Sequence, residues 1–182
     1  MTSGSAEGLF ALIASDLRAK AIWLYGGLSR RNLLKALVTD GTFAMIVYRL
    51  MQASHRLRLT PFAMIFNKIN VVFGGCTIGR GAWFGPGFVL IHSRGVVINT
   101  AVVGGCDVKL EHGVTIGAEA GAVPCVGDNV FVGAGAKIIG KACIGDGARI
   151  GANAVVLDEI PAGATAVGIP AKVVKMHDAD TS

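Results

Sequence analysis

Charge is scarce in this chain: only 16% of its 182 residues are Asp, Glu, Lys or Arg, against 52% hydrophobic. That balance is too apolar for a disordered chain, and the length suits one substantial domain with a short appendage rather than two independent cores. Long apolar runs are missing as well. The stretches near 43–48 and 61–66 fall far short of the roughly 20 residues a spanning helix needs, and Arg49, Arg56 and Arg58 separate them, so no transmembrane helix is expected. Nor does a basic, then apolar, then small-residue leader open the chain; acidic Glu7 and Asp16 stand there instead, and no cleaved signal peptide is expected. The cysteines, Cys76, Cys106, Cys125 and Cys143, include no CxxC pair. That argues against a zinc knuckle or a disulfide framework and for a reducing cytoplasm. No RNA- or DNA-binding motif or interleaved aromatic platform accompanies the basic residues, so nucleic acid is not expected as a partner.

What the chain has in excess is glycine, 26 residues, too many for an ordinary helical bundle and a sign of repetition. Its charge is also uneven. Residues 1–70 hold nine Lys/Arg and three Asp/Glu, whereas 71–182 hold eight and nine. The basic N-terminal part suits an anionic membrane surface or an anionic substrate. It reads as helical. In "SDLRAKAIWLYGGLSRRNLLKAL", Ser15 or Asp16 caps a helix running to the Gly26-Gly27 break, and Ser29 opens the next. A third helix covers "TFAMIVYRLMQASHRL", and a short fourth begins after Thr60-Pro61. These helices either pack on the main domain or dock on a membrane through Arg30, Arg31, Lys35, Arg49, Arg56 and Arg58.

From about residue 72 the period becomes six. Ile78, Phe84, Leu90, Ile98, Gly104, Leu110, Ile116, Val126, Val132, Ile138, Ile144, Ile150 and Val156 mark the register, with only Gly104 off-pattern. Four residues after most of them stands a small or branched residue, as at Ala82, Val102, Val108, Val114, Val130, Ala136, Ala142, Ala148 and Ala154. Such hexads predict a left-handed parallel β-helix, three short strands to a coil, mainly β and preceded by the short α-helical N-terminal region. The expected division is 1–70 helical, 71–175 β-helix and 176–182 tail. Two interruptions break the register: an eight-residue step across "HSRG" and a ten-residue step across "AEAGAVPC". Interruptions in a repeat are where function is usually placed. His92 and His112 each lie two residues past a hexad start on the third face, so they are expected to point outward from adjacent coils, with Ala134 and Ala152 continuing the row.

"GVTIG" and "VGDNVFVGAGAKIIGKACIGDGARIGANAVVLDEIPAGATAVGIPAKVV" resemble the hexapeptide-repeat acyltransferases, most of all the serine acetyltransferase branch. Within that branch, "IHSRGVVINTAVV" and "HGVTIG" are most similar to the colanic-acid and exopolysaccharide O-acetyltransferases. The resemblance covers roughly 72–175. It implies acetyl transfer from acetyl-CoA to a hydroxyl, in a homotrimer whose active sites lie between neighbouring β-helices. His92 aligns with the catalytic histidine, and an imidazole can take an alcohol's proton near neutral pH. A backbone N–H of Gly117 or Ala118 could stabilise the oxyanion on the thioester carbonyl. Small residues Gly133, Ala134 and Ala152 would let a pantetheine arm approach main-chain donors, and Lys172 would meet the CoA phosphates.

Three departures bear on the acceptor. The aspartate that orients the histidine in serine acetyltransferases aligns with Thr77, the one contacting the amino acid with Ile91, and the second active-site histidine with Val123. L-serine is therefore the runner-up, and the preferred acceptor is a sugar hydroxyl of an exopolysaccharide or related glycan. With no acidic partner assigned, His112 is given the role of orienting the acceptor or the donor carbonyl, and its neighbour Glu111 is expected to face along the coil and solvate it. Two readings of other classes stand beside this one. A zinc site of the γ-carbonic anhydrase kind needs three protein ligands, but His55 and His177 fall outside the register, so no metal is expected. The other is a non-catalytic trimeric scaffold.

Overall fold

The computed structural model describes residues 8–177. Four helices come first: α1 (Leu9–Tyr25), α2 (Arg30–Val38), α3 (Thr42–Arg56) and α4 (Thr60–Ile69), the last running into a π-helical turn at Asn70–Gly74. Helix α1 starts ahead of Ser15 and Asp16, so neither caps it. Asp16 is instead buried in mid-helix, where its carboxylate takes two bonds from Arg49, Nε at 2.7 Å and Nη2 at 2.8 Å. Gly26 closes the helix in the left-handed region at φ 71°, a conformation that costs glycine nothing. Ser29 does open α2, its Oγ accepting from the N–H of Asn32 at 3.1 Å.

The hexads then wind into a three-sided parallel β-helix. The first coil is β1 (Thr77–Ile78), β2 (Trp83–Phe84) and β3 (Val89–Leu90); the second is β4 (Val97–Ile98), β5 (Val103–Gly104) and β6 (Lys109–Leu110). The third is β7 (Thr115–Gly117), β8 (Cys125–Val126) and β9 (Phe131–Val132); the fourth is β10 (Lys137–Ile139), β11 (Cys143–Ile144) and β12 (Arg149–Ile150). Strand β13 (Val155–Val156) opens a last coil closed by β14 (Ala164–Val167), on which β15 (Lys172–Met176) folds back antiparallel. Met176 thus ends a strand, and the predicted tail beyond His177 lies outside the described residues.

Every register position is buried, as are the small residues four positions on. Each coil alone exposes its apolar lining, and stacking turns that lining into one continuous core. The off-pattern Gly104 has a steric cause. It pairs with Phe84 on the coil below, and a Cβ at Gly104 would fall 2.3 Å from the Phe84 ring. One large and one absent side chain share a slot. Gly104→Ala should therefore destabilise the fold by about 1–3 kcal/mol through overpacking, and adding Phe84→Leu should recover part of the loss in thermal unfolding. Single-mutant stability equal to wild type would refute this pairing.

Two expectations need correction. Cys125 and Cys143 form a disulfide, with Cα atoms 4.7 Å apart. Eighteen residues make one full coil here, so residues remote in sequence become register partners on neighbouring rungs, a proximity that spacing rules for cysteine motifs do not capture. The basic faces of the helices also lose a member. Arg49 is fully buried; beyond Asp16 it donates to the carbonyls of Phe84 at 2.8 Å and Gly85 at 2.6 Å. Arg30, Arg31, Lys35, Arg56 and Arg58 remain exposed.

These contacts seat the helices on the start of the solenoid. Asp16 accepts from the N–H of Phe88 at 3.0 Å, Trp23 stacks on Phe131 with ring centroids 5.3 Å apart, and the Lys20 ammonium reaches the carbonyl of Leu90 at 2.9 Å. Leu90 is two residues before His92. The helical segment is thereby carried to the rim where the first interruption lies.

Candidate active site at the first interruption

The bulge "HSRG" sits at the corner between the third face (β3, β6, β9, β12) and the first face (β1, β4, β7, β10). Its extra residues are His92 and Ser93. The N–H of Gly113 bonds the carbonyl of Arg94 at 2.9 Å, and the N–H of Gly135 bonds that of His112 at 2.8 Å. By backbone register, then, Arg94 stands beneath His112, and His92 is pushed outward just before it. Ser93 folds in and is buried while His92 stays about half exposed. The expected outward pair is present: the His92 and His112 rings lie 6.0 Å apart, edge to face at 70°.

Sequence reasoning missed the partner of His92. Nδ1 of His92 is 3.0 Å from Oδ2 of Asp40, in the loop between α2 and α3. The other carboxylate oxygen, Oδ1, accepts from the N–H of Gly41 at 2.9 Å, so the group is oriented rather than free. Gly41 is required by the geometry. It takes φ +80°, and a Cβ there would come within 2.3 Å of the Leu90 carbonyl oxygen. Lys20 completes the joint. Fully buried, it donates from Nζ to the backbone carbonyl of Asp40 as well as to Leu90. Burial pulls its ammonium down to about 8, with Asp40 pulling the other way. The one signal in the sequence was Asp40-Gly41 as a turn between two helices, which says nothing of a target 52 residues away.

The remaining candidates divide. Glu111 lies beside its neighbour, Oε2 3.7 Å from Nδ1 of His112, too far for a hydrogen bond. Ile91 is buried and Val123 packs against the core, so neither offers a polar contact; Thr77 is exposed on β1. Gly117 ends β7 and Ala118 opens the long loop, one corner further round than the histidines. Ala134 and Ala152 continue the histidine row, the N–H of Asn153 bonding the Ala134 carbonyl at 2.8 Å. Gly133 directly follows β9, its N–H bonded to the carbonyl of Ile150 at 2.8 Å. Lys172 is exposed at the start of β15, paired with Val167. It lies five strand spacings along the sheet from β3, which ends two residues before His92, roughly 24 Å along the axis. Among the described residues no three His, Cys, Asp or Glu side chains converge as a metal site, and no helix is long and apolar enough to cross a membrane.

Chemically, a neutral imidazole whose Nδ1–H donates to a carboxylate carries its lone pair on Nε2, the arrangement a general base needs.

Comparison with known proteins agrees with this geometry. Residues 126–158 match the bacterial transferase hexapeptide model of six repeats. A serine acetyltransferase of Helicobacter pylori strain J99 is 42% identical over 142 residues, 76% of this chain and 83% of that one. A colanic acid biosynthesis acetyltransferase, WcaB, of Escherichia coli K12 is 38% identical over 130 residues, 70% of this chain and 80% of that one. The serine acetyltransferase of Neisseria gonorrhoeae superposes with a TM-score of 0.82 at 30% identity. That match covers 92% of this chain, which spans only 66% of the gonococcal one. By repeat, fold and relatedness over most of its length, the chain belongs to the hexapeptide-repeat acyltransferases, the family that includes the serine acetyltransferases.

Proposed function

We propose that the protein transfers an acetyl group from acetyl-CoA to a hydroxyl, with His92 as general base. The observation that carries this is the pairing of His92 Nδ1 with Asp40 at 3.0 Å, which leaves Nε2 to act. In the reaction Nε2 takes the hydroxyl proton as the acceptor oxygen bonds to the thioester carbonyl carbon, and the carbonyl electrons move onto its oxygen. Collapse of that oxyanion breaks the C–S bond, and the CoA sulfur recovers the proton from Nε2–H. The products are an acetyl ester and the free thiol. Because His92 and Gly117-Ala118 stand at different corners of one solenoid, a backbone donor from that loop serves the oxyanion only when a neighbouring chain supplies it. This favours a homotrimer with the site between chains. His112 then faces the acceptor or the donor carbonyl, with Ala134, Ala152 and Lys172 along the path of CoA.

For the acceptor, the site residues and the relatives pull apart. Buried Ile91 and core-facing Val123 leave no polar grip on an amino acid at the two positions where serine acetyltransferases have one, and this supports a sugar hydroxyl of an exopolysaccharide or related glycan. The relatives by themselves favour L-serine, and Asp40, half exposed beside His92, is a carboxylate that an ammonium group could meet. The deciding experiment follows thiol release from acetyl-CoA with L-serine, simple sugars, and a lipid-linked or polymeric glycan. Glycan-dependent release supports the sugar reading, serine-dependent release replaces it with serine O-acetyltransferase, and neither release nor CoA binding leaves the scaffold.

A cytoplasmic enzyme, peripheral at the inner membrane face, fits the exposed Arg30, Arg31, Lys35, Arg56 and Arg58, while the Cys125–Cys143 disulfide counts against a reducing compartment. Sedimentation with anionic vesicles should deplete the protein from solution at low salt, and an equal amount left in solution with neutral vesicles would discard the membrane reading.

A further inference from the structure

We propose that the helical segment is part of the catalytic site: Asp40 is the positioning residue of His92, replacing from outside the solenoid the carboxylate that Thr77 no longer supplies. The inference rests on His92 being the base. It stands on four contacts around one loop. Asp40 Oδ2 meets His92 Nδ1 at 3.0 Å, and Oδ1 is fixed by the Gly41 N–H at 2.9 Å. Lys20 ties the Asp40 carbonyl to that of Leu90, the strand residue just before the bulge. Gly41 lies so close to Leu90 that no side chain fits between them. The loop is thus registered to the strand that carries the base, not merely near it. Thr77 sits exposed on β1, and a hydroxyl is no substitute for a carboxylate as the acceptor that selects one imidazole tautomer.

The carboxylate accepts only, so it holds neutral His92 as the Nδ1–H tautomer with Nε2 unprotonated. An asparagine in its place can donate to Nδ1 instead, which stabilises Nε2–H and blocks the base. Because the Asp40 side chain is half exposed and the backbone carbonyl that Lys20 holds is kept in the variant, Asp40→Asn is expected to fold as the wild type does.

The experiment has two arms on the full chain. With histidine ring nitrogens labelled with ¹⁵N, long-range ¹H–¹⁵N spectra at a pH where His92 is neutral should report Nδ1–H in the wild type and a shift toward Nε2–H in Asp40→Asn. Assignment comes from the resonance lost in His92→Ala. In the acetyl-transfer assay, Asp40→Asn should lower kcat by about 10- to 100-fold with KM for acetyl-CoA within about twofold, and Asp40→Glu should recover part of the loss. An unchanged tautomer in Asp40→Asn overturns the proposal, as does a tautomer shift with wild-type kcat. If the wild-type protein transfers acetyl to no acceptor, the reading of His92 as a base fails, whereas the spectra still decide whether Asp40 sets the ring.

Discussion

His92→Ala lowers kcat/KM for acetyl transfer by about 10²–10⁴-fold, the range a general base contributes, while acetyl-CoA binding measured by calorimetry changes by no more than a few-fold. The separation follows from position. His92 stands on the outward bulge, about half exposed, with Asp40 as its hydrogen-bond partner, so its removal takes away a proton acceptor without opening the core. The thermal midpoint should stay close to wild type for the same reason. His112→Ala gives a contrast. Its imidazole has Glu111 at 3.7 Å and no hydrogen-bonded acid, so its loss should raise the acceptor KM more than it lowers kcat. Transfer at the wild-type rate in His92→Ala would remove the imidazole from the chemistry altogether, and the search for a base would move to His112.

Arg49→Ala should have the largest effect on stability, about 3–5 kcal/mol. The guanidinium is fully buried and holds Asp16, itself buried, together with the carbonyls of Phe84 and Gly85. Truncation strips the buried carboxylate of both its guanidinium bonds, leaving it the Phe88 N–H, and takes the same donor from two buried carbonyls. Burial already pushes the Asp16 carboxyl up from its ordinary value, against the opposing pull of Arg49, so losing Arg49 pushes it further the same way. In a two-state thermal melt such a loss corresponds to a midpoint lowered by roughly 10 °C for a chain of this size. The double variant Asp16→Leu with Arg49→Met should recover much of it, because replacing both members of a buried pair avoids the stranded charge. By contrast Arg56→Ala, at an exposed position over the Trp83 ring at 5.5 Å, should cost no more than about 1 kcal/mol. Equal stability of Arg49→Ala and Arg56→Ala would mean that the ion pair does not tie the helices to the solenoid.

The solenoid was legible because its information is local and periodic. Each register residue, from Ile78 to Val156, sits at the second place of a two- or three-residue strand facing inward, and a period of six can be read without knowing what lies across the core. The outward placing of His92 and His112 followed from the same count, since each lies two residues past a hexad start on the third face. Even Gly104, which looked like a flaw, is a local matter once Phe84 is known to lie under it.

What the count could not reach were pairings set by which coil lies above which, and by which helix packs where. Cys125 and Cys143 meet because one coil happens to take 18 residues. Asp16 looked like a helix cap and Arg49 like a basic surface residue; only the docking of α1 and α3 against the first coil joins them. Asp40 is the sharpest case. As a residue in a turn it is indistinguishable from any solvated aspartate, and its use depends on Lys20 and Gly41 bringing the loop to within bonding distance of Leu90. Periodic burial by itself determined the β-helix, its interruptions and its outward histidines, because burial in a repeat is a one-residue property. The carboxylate behind His92 and the buried tie between helices and solenoid were decided only in the tertiary structure. Hydrogen bonds and ion pairs need two groups within about 3 Å, and no pattern along the chain encodes that distance.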